Sequence, residues 1–136
     1  FIVFYLLCGL TAAFAQIVSD PDSAVPMVGA SGAIGGVMGA YALLYPRARV
    51  QTLLILGFYI TTIGVPAFVM LGYWFLLQIL GGLPALGSSE GGVAFWAHIG
   101  GFVAGLALIH LFKRPDFVKA RDVRLPRRSS NGERWF

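Results

Sequence analysis

Ala94-Phe95-Trp96-Ala97-His98-Ile99-Gly100-Gly101-Phe102-Val103-Ala104-Gly105-Leu106-Ala107-Leu108-Ile109-His110-Leu111-Phe112 runs without one Asp, Glu, Lys or Arg and stops at Lys113-Arg114-Pro115. As an α-helix the run rises about 28 Å, close to the roughly 30 Å hydrocarbon thickness of a bilayer. Two cations and a helix-breaking proline then end it. The stretch reads as a membrane span whose C-terminal end meets water. The composition agrees: of 136 residues, 57% are hydrophobic and 12% charged, where a soluble domain averages about 25% charged. That excludes an ordinary soluble domain and a disordered chain. A single cysteine excludes a disulfide framework and a Cys-rich metal site.

Further spans lie upstream. Phe1 to Val18 carries no charge, and Gln16 is its one strongly polar side chain. Ser19 to Pro26 is a polar, Pro-broken loop. Ser31 to Tyr45 is a second apolar stretch, rich in Gly and Ala, ending at Pro46-Arg47-Ala48-Arg49. Val50 to Ser89 has no charge at all, which is too long for one span and awkward for two. Gly57, Gly64 and Pro66 interrupt its first part. Val50 to Val65 is therefore expected to be a hydrophobic connection lying in, or dipping into, the membrane interface. Pro66 to Leu80 is the third span, Gly81 to Val93 a flexible loop, and Ala94 to Phe112 the fourth span. The expected fold is an all-α polytopic transmembrane helical bundle over residues 1–114, followed by a basic tail over 115–136. The first residue is a Phe already inside an apolar run, so the chain is expected to be a piece of a longer protein.

The charges orient the bundle. All ten Lys and Arg stand at 47, 49 or from 113 onward, while the loops assigned to the other side carry Asp20, Asp22 and Glu90. Basic residues concentrate on the cytoplasmic side of membrane proteins, so spans two and four end there. The tail then touches anionic headgroups, and no nucleic-acid partner is implied. A full crossing by Val50 to Val65 would reverse span four and put the tail outside.

Polar side chains at membrane depth are costly and usually have a task. Ser31, His98 and Gln16 stand out. Ser31 sits in Gly29-Ala30-Ser31-Gly32 and, taken alone, reads first as a helix N-cap. His98 lies about one turn into span four, where a lone histidine is most often a packing residue. The topology, however, puts Ser31 and His98 at one depth, at the outer ends of spans two and four. His110, about 18 Å deeper by helical rise, is an interfacial residue. Gly101 and Gly105 follow His98 at i+3 and i+7, and Gly32, Gly36 and Ala40 line a face of span two. Such faces let helix backbones approach closely, near enough for a hydroxyl–imidazole hydrogen bond of about 2.6–3.2 Å. Span two is also short, about 22 Å. The loop from Pro26 to Ala30 must then dip into the membrane, which irregular backbone tolerates only around a wet cavity.

Pro26-Met27-Val28-Gly29-Ala30-Ser31-Gly32-Ala33-Ile34, followed by Gly39-Ala40-Tyr41, and Trp96-Ala97-His98-Ile99-Gly100-Gly101-Phe102-Val103-Ala104-Gly105 resemble the rhomboid intramembrane serine proteases. The G-x-S-G and A-H-x-x-G-x-x-x-G motifs occur in the family's order, about 65 residues apart. Trp74-Phe75-Leu76-Leu77-Gln78 resembles the bacterial branch, which implies a bacterial inner membrane. The resemblance covers residues 1 to about 114 and corresponds to the last four of six core spans.

The resemblance implies a catalytic dyad, with Ser31 as nucleophile and His98 as general base and then general acid. No acidic residue is in reach to orient the histidine: Asp20, Asp22 and Glu90 are in loops, and Asp116 is on the other side. The backbone N–H of Ser31 is an oxyanion donor. The family's upstream H-x-x-x-N donors are absent, so residues 1–136 alone are expected to be a poor protease. Gly35 stands where some members carry an aromatic packed on the histidine, so that brace is missing. Gln16 corresponds to a position that helps bring water to the site. Gly29, Gly32, Gly36, Gly101 and Gly105 pack the helices around the dyad. The Gly81 to Val93 loop would cap the site, with span three as its lateral gate.

The expected activity is intramembrane cleavage of single-pass transmembrane proteins near the outer face, with no metal or cofactor. One alternative is a non-catalytic relative that binds transmembrane helices, although such relatives usually lose the Ser or the His. Another is a channel or transporter fragment, which leaves the matched depth of Ser31 and His98 to coincidence.

Overall fold

The computed structural model describes residues 1–23, 26–86 and 93–113. Along the chain the elements are α1 (Ile2–Ser19), α2 (Ser31–Leu44), β1 (Arg49–Leu56), β2 (Tyr59–Pro66), α3 (Ala67–Ala85) and α4 (Phe95–Phe112). The molecule is a mostly helical membrane bundle. Helices α1, α3 and α4 are each long and apolar enough to cross a bilayer. α2 has 14 residues and rises only about 21 Å. Large apolar side chains line the outside of the bundle, among them Leu10, Phe14, Leu76 and Leu80, as lipid-facing positions require.

Helices α2 and α4 form the centre and run parallel. Their contact is glycine on backbone. A Cβ added at Gly101 would overlap the Gly32 carbonyl, one at Gly105 the Gly36 carbonyl, and one at Gly39 the Phe102 carbonyl. Lipid tails are as apolar as the helices, so close van der Waals packing of this kind holds such helices together. α1 lies antiparallel to α4 and packs on both central helices. Cys8 of α1 fills the space beside Gly36, and Ala12 the space beside Gly32. Phe4, Cys8, Ala40, Ala104 and Ile109 form the buried cluster. Phe4 meets Phe112 edge-on at 5.6 Å between ring centroids, closing one end. α3 packs on α4 and, less extensively, on α2.

One expectation gains its secondary structure and one is corrected. The connection from Val50 to Val65 is an antiparallel β-hairpin, with Arg49 paired to Pro66 and Leu56 to Tyr59. Both arms carry β-branched Val, Thr and Ile, with Tyr59 opening the second, and such residues suit strands. Gly57 and Phe58 make the turn, with a positive φ of 62° at Gly57 only, as in a type II′ hairpin. The hairpin brings the chain back to where it left α2. The Ala67 N–H donates to the Ala48 carbonyl at 2.7 Å, and the Phe68 N–H to the Pro46 carbonyl at 3.2 Å.

Second, α3 does not stop at Leu80. It continues through Gly81, Gly82, Leu83 and Pro84 to Ala85, where a flexible loop was expected. The glycines there serve packing: the Phe95 ring lies against Gly81, and Trp96 Nε1–H donates to the Gly82 carbonyl at 3.2 Å. The rest of that expected loop, 87–92, lies outside the described residues, as does the tail over 115–136.

Candidate active site

Ser31 is the first helical residue of α2, with Ala30 as its N-cap. The Ile34 N–H donates to the Ala30 carbonyl at 3.1 Å, closing the first turn. The N–H groups of Ser31, Gly32 and Ala33 therefore have no acceptor within their own helix and form the positive end of its dipole. The N-cap reading of Ser31 is set aside, because its hydroxyl reaches sideways to α4. Ser31 Oγ lies 2.9 Å from His98 Nε2. Ser31 and the preceding Pro26 to Ala30 loop are exposed.

Gly29 is not a packing residue, contrary to expectation. A Cβ there would meet nothing within 4 Å, but its φ is +116°, a conformation natural to glycine alone. Its task is to turn the chain into α2. Gly32, Gly36, Gly101 and Gly105 do lie where helices meet.

His98 sits on the first turn of α4, half-buried. Its other ring nitrogen is engaged too: Nδ1 lies 2.8 Å from Gln78 Oε1. Gln78 is 8% exposed, and its Nε2 donates to the Trp74 carbonyl one turn earlier on α3, at 3.2 Å. The histidine, for which no acidic orienting residue was expected, thus has a polar partner of another kind. No carboxylate touches it among the described contacts, but an amide does. The signal for Gln78 was present, since a glutamine at membrane depth falls under the rule that selected Gln16. Antiparallel packing of α3 on α4 carries it across twenty residues of sequence to His98.

The aromatic brace expected to be missing comes from another helix. The Trp74 ring lies 5.7 Å from the imidazole, tilted by 44°. Gly35 lies beside both: a Cβ at that position would be in ordinary contact with Trp74 Cη2 at 3.6 Å but tight against the His98 carbonyl oxygen at 3.1 Å, so it is the backbone of α4 that the glycine accommodates. Phe102 extends the stack, with Trp74 at 6.0 Å and Phe75 at 4.6 Å between centroids.

Gln16 acts on backbone. Its Oε1 accepts from the Ala97 N–H at 3.2 Å, satisfying one of the free donors at the start of α4. It ties the end of α1 to the residue beside His98. His110 is exposed in the last turn of α4, at the end away from Ser31.

The arrangement is a hydroxyl hydrogen-bonded to an imidazole, with helix-end N–H groups alongside. It can deprotonate the hydroxyl for attack on a carbonyl and stabilise the oxyanion that forms. Among known families, the model of the Rhomboid domain matches residues 1–115. No curated protein and no solved structure matches the chain.

Proposed function

The chain belongs to the rhomboid family, and from that premise we propose that it is an intramembrane serine endopeptidase cutting single-pass transmembrane proteins near the outer membrane face. The observation that carries this reading is the 2.9 Å contact between Ser31 Oγ and His98 Nε2. His98 takes the Ser31 proton as Oγ attacks the scissile carbonyl. The tetrahedral oxyanion faces the Ser31 N–H at the start of α2. His98 then returns the proton to the leaving amine, releasing the C-terminal fragment and leaving an acyl-enzyme. Water, deprotonated by the same imidazole, hydrolyses the ester and restores Ser31. The exposure of Ser31 and of the Pro26 to Ala30 loop supports access for water and for an unwound substrate segment.

The helix directions support an orientation for this reading. α2 and α4 run parallel, so Arg47, Arg49 and Lys113 share one end of the bundle, and Ser31 and His98 the other. The basic end is cytoplasmic by the charge rule, in a bacterial inner membrane by the family branch. The 115–136 tail then lies on anionic lipid.

The test is labelling of Ser31 by a fluorophosphonate probe in native membranes. Adduct on wild type, lost in Ser31→Ala and in His98→Ala, is the expected result. A protein that is never labelled would instead be a non-catalytic binder of transmembrane helices.

A further inference from the structure

We propose that Gln78 is the positioning residue of this site: its side-chain amide decides which nitrogen of His98 carries the proton, and so makes the imidazole a base toward Ser31. The inference rests on the proteolytic reading of the Ser31–His98 pair.

A neutral imidazole has one N–H and one lone pair, on different nitrogens. To accept the Ser31 proton, His98 must present its lone pair at Nε2, so the ring proton must sit on Nδ1. The opposite tautomer would point an N–H at the hydroxyl and could not act as base. What faces Nδ1 therefore decides whether the pair can work, and that is Gln78, at 2.8 Å.

An amide can present either its oxygen or its NH₂. The backbone makes the choice. The Trp74 carbonyl only accepts, and it lies 3.2 Å from the Gln78 amide nitrogen. The NH₂ group turns to that carbonyl, and Oε1 is left facing the histidine. An acceptor at Nδ1 requires a donor there, so Nδ1 holds the proton. The relay runs from a helix carbonyl, which cannot change its role, through Gln78 to His98 and on to Ser31.

Burial makes the relay binding. Gln78 is 8% exposed, so water is a poor substitute partner, and an unmatched buried polar group is costly. The same turn of α3 also supplies Trp74, whose ring lies beside the imidazole. One helix thus fixes both the plane and the tautomer of a histidine carried by another. A carboxylate would fix the tautomer too, but it brings a charge to membrane depth; an amide does so without one.

During attack the Ser31 proton moves from Oγ to Nε2 while the Nδ1 proton stays in its bond to Gln78. The imidazolium so formed still donates to Oε1. When the Nε2 proton passes to the leaving amine, the same tautomer returns, ready for the water step.

The test uses the protein from its full natural reading frame, in membranes and in bicelles. In 15N-histidine NMR, with His98 assigned by difference against His98→Ala, wild type is expected to show a protonated Nδ1 and an unprotonated Nε2. An Nε2–H tautomer at rest would overturn the proposal without any Gln78 variant. Gln78→Leu, similar in bulk but with no acceptor, should shift the tautomer and slow fluorophosphonate labelling about 10- to 100-fold, short of the ~10⁴ seen when a triad histidine is held in the wrong tautomer. On a transmembrane substrate the loss should fall on kcat, with KM little changed. Gln78→Glu restores an acceptor and should recover most of the rate. Labelling of wild type with equal rates in Gln78→Leu would sink the role of Gln78 and leave the protease reading standing. No labelling of wild type would sink both.

Discussion

At the scale of single residues, His98 has little freedom left. Ser31 and Gln78 hold its two nitrogens, and Trp74 lies beside its ring. Trp74→Ala should therefore slow Ser31 labelling by about 2- to 10-fold, the worth of an aromatic contact of roughly 0.5–1.5 kcal/mol, and Trp74→Phe should restore most of it. Equal rates in all three proteins would show that the ring does not brace the imidazole. The glycines separate into kinds that stability measurements tell apart. Gly101→Ala drives a methyl into the Gly32 backbone carbonyl, which cannot yield as a side chain can. It should cost about 1–3 kcal/mol or more, and Gly101→Leu or Gly36→Leu should abolish labelling. Gly29→Ala meets open space and suffers only from its φ of +116°, a strain of roughly 1–2 kcal/mol. Gly72→Ala, mid-helix and with nothing within 4 Å, should be neutral or stabilising by up to about 1 kcal/mol. Melting temperatures in one detergent should rise in that order, lowest for Gly101→Ala and highest for Gly72→Ala. Ser31 and His98 were legible because polar residues at membrane depth are few, and the small residues around them repeat at helical spacing. The role of Gln78 was not, because it depends on which face α3 turns toward α4, and an apolar helix surrounded by lipid does not announce its inner face.

At the scale of elements, the spans were legible from apolar length and the hairpin was not. Leu53-Leu54-Ile55-Leu56 is a continuous apolar run, and periodicity alone cannot tell such a run in a strand from one in a helix. Pairing explains the pattern. Val50, Thr52, Leu54, Thr61 and Val65 share a half-buried face, while Gln51, Leu53, Ile55, Ile60 and Thr62 share an exposed one. Phe58 at the tip is fully exposed. An isolated two-stranded hairpin is marginal in water, so this one needs an apolar surface to rest on. The headgroup–acyl boundary beside the basic end of the bundle fits, with Arg47 and Arg49 at the hairpin base to meet anionic lipid. A spin label at Phe58→Cys, in a Cys8→Ala background, should be relaxed strongly by oxygen and weakly by a water-soluble nickel chelate. The reverse pattern would place the tip in water and remove the bilayer as its support. The misjudged end of α3 has a related cause: Gly81-Gly82-Leu83-Pro84 reads as a breaker, yet Phe95 and Trp96 pack on the glycines and keep the last turn helical.

At the scale of the whole molecule, the hairpin decides the topology. β1 and β2 are antiparallel and close on themselves, Arg49 opposite Pro66, so α3 starts at the level where α2 ended. Had this segment crossed the membrane, α4 would run the other way, and Ser31 and His98 would sit at opposite faces. The 2.9 Å contact between them and the direction of the hairpin are therefore one geometric statement, and testing either tests both. Single cysteines at Asp22, Arg49, Lys113 and Arg124, again without Cys8, provide the test in intact cells. An impermeant maleimide added outside should modify Asp22→Cys alone; the other three should react only after the membrane is opened. Arg49→Cys and Lys113→Cys protected together is the informative outcome, because these positions flank the hairpin, α3 and α4 in turn. Modification of Lys113→Cys from outside while Arg49→Cys stays protected would require an odd number of crossings between them. That would separate Ser31 from His98 by a membrane thickness and remove the proposed catalytic pair altogether.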